Sequence, residues 1–476
     1  MQRDPRQFLQ SAQIAIDDIE LRGAIDRATG RANEGRERTM DETTDRAALR
    51  QQGRGARLRG LHALPELLEQ AEGHMQANGM RVCWALDAAE ANQQVLAICQ
   101  EHGARRGVKS KSMVTEEIGL VPFLESNAIT MLETDLGEYI VQISDDHPSH
   151  ITMPVMHRSK ESIRDVLMDK AGMPYVETPE EMTAFARARL RQHYLDADFG
   201  VSGGNFIIAE TGHIVTVTNE GNARLTTGVP PVHIAVIGIE KVIPTWEDFA
   251  TLVQLLTRSA TGQRMTVYVN LIAGPARADD GDGPQHVYVI LLDNGRSGIY
   301  ASEYAEALAC IRCGACLNAC PVYQSVGGHA YGTVYPGPIG AVISPLLLGK
   351  ENASPLPFAS TLCGACKTAC PVDIDIPTML LKLRRDLHES EAPLWRLGLK
   401  GFGAAFSHPL LYRAAGFVGR QVAGGDQPLS KLPYPLDGWT DSRNFPPLAE
   451  QPFRAWWREH EAQRRQAPSD HDKDGS

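Results

Sequence analysis

The chain of 476 residues lacks several features that would identify other classes of protein. No segment contains about twenty consecutive apolar residues, so we expect no membrane-spanning helix. The formal net charge is −11, which argues against a general nucleic-acid binder, since such proteins present a positive field. The first ten residues, MQRDPRQFLQ, are charged and lack the apolar core of a secretory signal. We therefore expect a cytoplasmic location, where thiols stay reduced.

The chain also lacks a clear flavin or dinucleotide fingerprint. A G-x-G sequence at 401–403 follows no predicted strand, and such glycines bind a pyrophosphate only between a strand and a helix. We therefore expect no hydride acceptor belonging to this chain itself.

Residues 61–298 show predicted strands alternating with predicted helices. The predicted strands are GMRVCWAL, AITMLETDL, EYIVQIS, HIAVIGIEKVI, HVYVILL and the two arms of FIIAETGHIVTVT, a hairpin that turns at Thr211-Gly212-His213. The predicted helices include AEANQQVLAICQEH and one that begins at Thr245, an N-cap with Asp248 three residues on, as in a capping box. This alternation predicts an α/β domain with a largely parallel sheet.

Changes in composition divide the chain into five segments. They are 1–60, a peripheral helical arm with solvated charges; 61–298, the α/β domain; 299–390, a cysteine region between predicted helices YASEYAEALACI and MLLKLRRDLHE; 391–460, a helical and Pro-rich region; and 461–476, a disordered tail. Residues 394–422 are apolar with scattered cations, which favours docking to a partner subunit, with peripheral membrane contact as the alternative.

Seven of the nine cysteines lie in two motifs that align position by position. CIRCGACLNACP begins at Cys310, and STLCGACKTACP begins at Ser360. The spacing C-x2-C-x2-C-x3-C-P is that of bacterial ferredoxins, in which the fourth cysteine of each run binds the cluster of the other run. Small residues such as Gly314 let the backbone fold closely around a cluster.

This cross-over rule predicts the ligands of two [4Fe–4S] clusters. They are Cys310, Cys313, Cys316 and Cys370 for the first cluster, and Cys320, Cys363 and Cys366 for the second. A zinc ribbon would instead use two C-x2-C pairs, and a reducing compartment disfavours disulfides. Cys83 and Cys99 are predicted to be small buried apolar residues.

Ser360 leaves the second cluster with three thiolates. Water, another side chain or the Ser360 hydroxyl can complete a four-iron cluster, the site can hold a [3Fe–4S] cluster instead, or the open iron can bind a ligand. A serine hydroxyl has a high pKa and is a poor ligand unless the iron deprotonates it. Alternatively, Ser360 only donates a hydrogen bond to the cluster.

Long stretches of the chain resemble the LutB family, the iron–sulfur proteins of bacterial lactate utilisation. The resemblance rests on CIRCGACLNACPVYQSVGGHAYGTVYPGPIGAVISPLL, ASTLCGACKTACPVDIDI, KSKSMVTEEIGL, ETDLGEYIVQI, HPSHITMPVMH, IAETGHIVTVTNEGNARL, PPVHIAVIGIEKVIPTWED, HVYVILLDNGRS and PFRAWW. It covers about residues 60–460, and the family's second motif also has three cysteines.

The resemblance implies a LUD domain with a fold similar to the NagB/RpiA/CoA-transferase group, followed by a helical ferredoxin-like domain. It further implies a subunit of a system that oxidises L-lactate to pyruvate, with LutA-type and LutC-type partners. The main hypothesis is therefore an iron–sulfur electron-transfer subunit. The alternatives are an iron–sulfur sensor acting on a partner, and a LUD domain that works as a CoA-type transferase.

Outside the cysteine motifs, KSKSM is a candidate anion site. Lys109 and Lys111 lie beside a predicted helix N-terminus, where a carboxylate or nucleotide anion would be stabilised. The alternative is an ordinary helix start, with Ser112 as the cap and Glu116 and Glu117 complementing the helix dipole.

Several other polar residues have a functional and a structural interpretation. His147, His150 and His157 are candidate ligands or proton carriers, although such histidines more often bind backbone groups. Glu210 and Glu220 lie in turns, as does the nucleophilic glutamate of the related transferases.

The glycine-rich segment GGHAYG lies between the two cysteine motifs. His329 and Tyr331 within it can donate hydrogen bonds to cluster sulfides, which would raise the cluster's potential. Packing of an ordinary loop is the alternative.

Overall fold

The computed structural model describes residues 4–388, 393–425, 427–434, 437–441 and 443–466. The chain divides into two compact units, Met1–Leu387 and His388–Ser476.

Two sheets form the centre of the first unit. Their strands are β1 Arg81–Ala85, β2 Arg106–Lys109, β3 Thr130–Glu133, β4 Phe199–Ser202, β5 Phe206–Ile208, β6 His213–Thr218, β7 Val232–Gly238, β8 Val242–Ile243, β9 Tyr268–Ile272 and β10 His286–Leu292. The larger sheet has the order β1-β10-β7-β4-β2-β3, and all of its pairs are parallel. The smaller sheet has the order β8-β5-β6-β9 and contains two antiparallel pairs.

The apolar runs in the sequence become the central strands. Every residue of β7 is buried, as are all but one of β10, because helices cover both faces of a parallel sheet. The predicted hairpin is confirmed, with Ile208 on β5 opposite His213 on β6. A mixed α/β unit with a parallel-rich sheet is therefore confirmed.

Helices surround the sheets and continue into the cysteine region. Those of the first unit are α1 Phe8–Asp17, α2 Ile19–Asp41, α3 Arg46–His62, α4 Leu64–Ala77, α5 Ala88–Glu101, α6 Met113–Glu117, α7 Leu120–Ser126, α8 Leu136–Ile143, α9 Lys160–Ala171, α10 Pro179–Leu195, α11 Asn222–Gly228, α12 Trp246–Thr261, α13 Arg296–Tyr300, α14 Ala315–Asn318, α15 Pro321–Val326, α16 Gly337–Leu348, α17 Ala365–Ala369 and α18 Ile376–Leu387. Thr245 caps α12 by accepting a hydrogen bond from the Asp248 amide at 3.2 Å.

The strand predicted for EYIVQIS is wrong, because these residues form most of α8. Asp135 begins the helix by accepting a hydrogen bond from the amide of Glu138 at 3.1 Å. A short apolar run does not distinguish a buried helix from a buried strand, and here the N-cap decides.

The single helix predicted for YASEYAEALACI is also wrong. α13 ends at Tyr300, and a separate 3-10 helix, Ala305–Ala309, leads into the first cysteine motif. The hydroxyl of Ser302 accepts a hydrogen bond from the amide of Tyr304 at 3.1 Å. Such a local bond competes with a continuous helix.

The N-terminal segment is helical and most of its charged side chains are exposed, but it belongs to the first compact unit, and two of its arginines, Arg36 and Arg57, are buried. Arg57 of α3 is fully buried. Its guanidinium donates to the carbonyl oxygens of Ala309 (3.1 Å), Leu308 (2.9 Å) and Val242 (3.3 Å). A guanidinium carries five N–H donors. The Arg57 side chain therefore connects α3 by hydrogen bonds to both the smaller sheet and the cysteine region.

The second unit contains three α-helices within its described residues, α19 Pro393–Ser407, α20 Pro409–Ala423 and α21 Phe453–Gln466. Large apolar side chains are exposed on all three, including Phe402, Phe417 and Trp457. In the described part of the chain, every helix is too short or too polar to cross a membrane.

Candidate metal centre and adjoining pocket

The two cysteine motifs fold as a structural repeat. Gly314 and Gly364 adopt left-handed conformations with φ of 76° and 83°, and each begins a short helix, α14 or α17. Two residues earlier, Arg312 and Leu362 are also left-handed, with φ of 58° and 55°. The backbone therefore turns in the same way around both sets of side chains.

Ser360 occupies the place in its loop that Cys310 occupies in the first. The Sγ of Cys310 accepts a hydrogen bond from the Arg312 amide at 3.4 Å. The Oγ of Ser360 accepts one from the Leu362 amide at 3.1 Å. The hydroxyl thus faces the interior of its loop as the thiol does.

Four cysteines line one cavity of about 340 Å³, a volume that includes open solvent. The first cysteine group consists of Cys310, Cys313, Cys316 and Cys370. The rest of the wall is largely apolar, with Ile151, Ile339 and Val372 among its residues. Although Cys370 belongs to the second motif in sequence, it joins the three leading cysteines of the first.

The second cysteine group consists of Cys320, Cys363 and Cys366, and electrostatics indicate that these thiols are neighbours. Burial raises the pKa of Cys320, and a Cys363 thiolate raises it further. Burial raises the pKa of Cys366 to about 12, with Cys320 as the main charged contributor.

The spacing of the sulfur atoms does not suit zinc. All seven motif cysteines lie in the described part of the chain, yet no three of them place their sulfurs within 4.8 Å of one another. Thiolates on one tetrahedral zinc ion lie about 3.8 Å apart, since each Zn–S bond is about 2.3 Å. The wider arrangement fits a cluster in which each thiolate binds a different iron.

Two buried groups with missing partners also fit a cluster at each site. The Oη of Tyr331 is fully buried without a hydrogen-bond partner among the described residues, and the thiol of Cys320 is its main charged neighbour. Arg36 is buried beside Cys313 with its Nε and Nη2 unpartnered within the same residues. A cluster with sulfide acceptors and negative charge would satisfy both.

The two cysteine groups differ in exposure. Cys313 and Cys316 are buried, whereas Cys363 is exposed. A hydrogen bond from Thr361, with further bonds from backbone amides, lowers the pKa of Cys363. The second group therefore reaches the surface of the first unit at Cys363, while Cys320 and Cys366 are buried.

A larger pocket adjoins the cavity of the first cysteine group. This cation pocket encloses about 1400 Å³ including open solvent, and Lys111, Lys241 and Arg312 line it. Arg312 and Ile151 also line the cysteine cavity, so the two spaces share a wall. Sequence reasoning missed Lys241 and Arg312; the only signal was a charged residue between Cys310 and Cys313 in an otherwise apolar loop.

Lys109 lies apart from this pocket, in a buried ion pair. Its Nζ is 2.7 Å from Oε1 of Glu133 and 3.6 Å from Oε1 of Glu116. Burial opposes its charge, but the carboxylates of Glu133 and Glu116 outweigh burial and raise the pKa of Lys109. The pair is neutralised within the protein, which leaves Lys111 as the lysine of KSKSM that faces the pocket. Ser112 caps α6 as predicted.

His150 has a structural position against the first cysteine loop. Its Nδ1 accepts hydrogen bonds from the amides of Thr152 (3.1 Å) and Met153 (3.2 Å), and Nε2 lies 3.1 Å from Oδ1 of Asn318. Burial lowers its pKa to about 3, so the imidazole is neutral.

His329 lies with two other predicted candidates on one side of the cysteine region. Its Nε2 is 2.7 Å from the carbonyl oxygen of His147. Ligand atoms of His329, His157 and Asp146 all lie within 4.8 Å of one another. Sequence reasoning had not linked Asp146 to these histidines.

The two turn glutamates have different surroundings. Glu210 accepts a hydrogen bond from the amide of Trp246 at 3.1 Å, at the start of α12. Glu220 lines the cation pocket, and burial together with Asp135 raises its pKa to about 7. Only Glu220 therefore faces a space that can hold a ligand.

Three family models match consecutive parts of the chain. The LUD domain matches residues 68–292, the 4Fe-4S dicluster domain matches residues 306–374, and the model "Lactate utilisation protein B, C-terminal" matches residues 388–462. The dicluster match supports binding of iron–sulfur clusters in the cysteine region.

Curated relatives align over most of their length. "Lactate utilization protein B" of Shouchella clausii is 47% identical and covers 84% of both chains. The Oceanobacillus iheyensis protein of that name is 43% identical over 93% of this chain and 94% of its own. "Uncharacterized electron transport protein YkgF" of Escherichia coli is 41% identical over 94% and 95%. A solved duf162 family protein from Deinococcus radiodurans aligns with 48% of this chain and 98% of its own, at 16% identity and a TM-score of 0.26.

Proposed function

The chain belongs to the lactate utilization protein B family, and from that premise we propose that it is the iron–sulfur electron-transfer subunit of a complex that oxidises L-lactate to pyruvate. The observation that carries the proposal is the pair of cysteine groups, each assembled from both motifs. The E. coli relative's name, an electron transport protein, agrees with this role.

The first cysteine group is proposed to hold a [4Fe–4S] cluster. Cys310, Cys313, Cys316 and Cys370 line one cavity whose remaining wall is mostly apolar. The amides of Arg312 and Ile374 each donate to a cysteine sulfur at 3.4 Å, which stabilises thiolates over thiols. Low exposure and an apolar wall keep water away from the site.

The second cysteine group, Cys320, Cys363 and Cys366, is proposed to hold another cluster of the [4Fe–4S] or [3Fe–4S] type. Tyr331 supplies a buried hydroxyl beside Cys320, and a hydrogen bond from it to a sulfide would raise the reduction potential. Ser360 is the candidate for the fourth ligand, because its hydroxyl is placed as Cys310 is in the first loop.

When bound, such clusters accept and release single electrons, so the chain would pass electrons from the lactate-oxidising step to an acceptor. The chain's own residues hold the two sites side by side: Cys316 has Cys310 and Cys313 as charged neighbours and also Cys366. The buried first site suits entry of electrons within the complex, and the exposed Cys363 suits exit at a surface.

The partners are proposed to be LutA-type and LutC-type subunits in the cytoplasm. The exposed apolar side chains of the second unit offer a docking surface on helices α19 to α21.

A CoA-type transferase in a NagB/RpiA-like LUD domain is the second candidate function. The observation that favours it is Glu220, whose carboxyl lines a large pocket. Such a transferase activity would survive Cys310→Ala and be abolished by Glu220→Gln. Electron transfer, in contrast, would be lost in Cys310→Ala.

The proposal is tested on anaerobically purified protein by iron and acid-labile sulfide per chain and by EPR. About seven or eight irons with about eight labile sulfides are expected, and an EPR signal in the oxidised state distinguishes a [3Fe–4S] cluster at the second site. L-lactate should reduce the clusters only when the partner subunits are present.

Matched cysteine variants provide the control. Cys313→Ala should lose most of the first site's iron, whereas Cys99→Ala, at a buried cysteine outside both groups, should retain all of it. Zinc without labile sulfide, or clusters that remain oxidised with lactate and all partners present, would contradict the proposal.

A further inference from the structure

Three cations reach the cation pocket from separate parts of the fold. Lys111 follows β2, Lys241 lies between β7 and β8, and Arg312 lies in the first cysteine loop. Residues so distant in sequence line one pocket only because the two sheets and the cysteine region pack together within one unit.

Two of these cations each have a buried nitrogen without a hydrogen-bond partner in the described chain. The Arg312 side chain is 9% exposed, and its Nη1 donates to no acceptor within the described chain. The Nζ of Lys111 also lacks an acceptor there, and its nearest carboxylate oxygen, on Glu138, is 3.9 Å away. Buried charges of this kind are costly unless an anion accompanies them.

Glu240 supplies only part of that anion. Its Oε1 lies 3.7 Å from Nη2 of Arg312 without a hydrogen-bond partner in the described chain, while its Oε2 accepts a 2.6 Å hydrogen bond from Arg296. Arg296 is shared with Glu117, so it is itself fully engaged. Positive charge therefore remains at the wall between the pocket and the first cysteine group.

A negatively charged cluster would offset part of this charge, since Cys310 neighbours both Arg312 and Lys241. That explanation does not extend to Lys111, which lines the pocket but not the cysteine cavity. It also leaves unexplained a space of about 1400 Å³ on the other side of the wall.

Apart from the carboxyl groups of Asp135 and Glu220, the rest of the pocket offers neutral hydrogen-bonding groups close to apolar ones. Ser112, Asn205 and Thr218 provide hydroxyl and amide groups, while Met113 and Leu256 provide apolar surface. A ligand with a carboxylate, an adjacent hydroxyl or carbonyl oxygen and a short apolar end matches this combination.

We propose that the cation pocket binds a short-chain 2-hydroxy or 2-oxo acid, with its carboxylate held by Arg312, Lys241 and Lys111. The proposal rests on the proposed function for the choice of acid, and it places that acid against the wall of the first cysteine cavity. Within the complex, this chain would then contribute the acid-binding site as well as the electron path.

The test is isothermal titration calorimetry on the anaerobic holoprotein, with L-lactate, pyruvate, propionate and inorganic phosphate as separate probes. Lactate and pyruvate are expected to bind, and propionate, which lacks the 2-oxygen, to bind at least about tenfold more weakly. Lys111→Gln should weaken binding about tenfold or more, while Lys382→Gln, on α18 outside the pocket, should not.

A variant that fills the pocket without changing its charge distinguishes loss of the binding space from a change of charge near the cluster. Ala260 lines the pocket on α12, and Ala250 lies exposed on the same helix. Ala260→Phe should abolish acid binding while leaving iron content and EPR unchanged, and Ala250→Phe should alter neither. If Ala260→Phe fails to fold, Lys241→Gln together with Lys111→Gln decides the question by calorimetry.

Different results would contradict the binding site and the proposed class of ligand. Absence of lactate and pyruvate binding at millimolar concentration, or binding unaffected by these pocket variants, would overturn the site. Equal binding of propionate, or stronger binding of phosphate, would overturn the ligand class. None of these outcomes alters cluster content or reduction by partner subunits, so failure of this inference is separable from failure of the electron-transfer proposal.

Discussion

The imidazole of His150 packs directly against Gly314, so that a methyl group on this glycine would lie 2.8 Å from Cε1 of His150. The equivalent glycine of the second motif, Gly364, has the same left-handed backbone but nothing within 4 Å of that position. Two glycines that look alike in the sequence therefore have different neighbours.

We expect Gly314→Ala to destabilise the first cysteine loop far more than Gly364→Ala destabilises the second. Both substitutions carry the left-handed penalty of about 1–2 kcal/mol, but only the first adds a clash. Iron per chain and thermal unfolding, measured on both variants, check this. Equal losses in the two variants would show that His150 does not constrain the loop.

Ser360→Cys should provide a fourth thiolate at the second site. The Ser360 hydroxyl and the Cys310 thiol accept equivalent amide hydrogen bonds, so a thiol at 360 would have the same orientation. The expected result is a gain of up to one iron per chain and loss of any EPR signal from a three-iron species in the oxidised state. Ser325→Cys, on exposed surface of α15, is the control. An unchanged spectrum in Ser360→Cys would mean that this side chain points away from the metal.

Glu138 should make stability depend on pH. Burial raises the pKa of Glu138 to about 7 from an ordinary 4.5. Because the folded state favours the protonated form, its contribution to stability is full below about pH 4.5, declines up to pH 7 and is absent above. The total effect is roughly 3 kcal/mol by linkage. Glu138→Gln should therefore reduce the fall in melting temperature between pH 5 and pH 8, and a fall as steep as in the parent protein would contradict this.

Arg57→Met should destabilise the first unit strongly. It leaves the buried carbonyl oxygens of Leu308, Ala309 and Val242 without their donor, at about 1–3 kcal/mol each. The control is Arg59→Met two residues along α3, where the side chain is 61% exposed and forms an ion pair with Asp248. Similar melting temperatures for the two variants would show that the hydrogen bonds of Arg57 do not stabilise the packing of the N-terminal helices.

Features set by neighbouring residues were predictable from the sequence. The turn of the β5–β6 hairpin, the cap at Ser112 and the repeat of the two cysteine loops all depend on residues a few positions apart. The strand predicted for EYIVQIS failed because its apolar run is compatible with both helix and strand, and the cap at Asp135 lies outside that run.

Features set by distant residues were not predictable from pattern. Arg57 looks like part of a charged surface, yet it is buried because carbonyl groups about 185 and 250 positions away surround it. The presence of Lys111, Lys241 and Arg312 in the lining of one pocket likewise requires the packing of the whole unit.

The exposure of Cys363 and the burial of Cys313 and Cys316 have a practical consequence for the purified protein. Oxygen and peroxide reach a solvent-facing thiolate first, so in aerated buffer the outer site should lose iron while the inner site survives. The ratio of the two EPR signals would then record how long a sample has been exposed to air. In the cell, the same vulnerability makes a covering subunit a means of protection as well as a route for electrons.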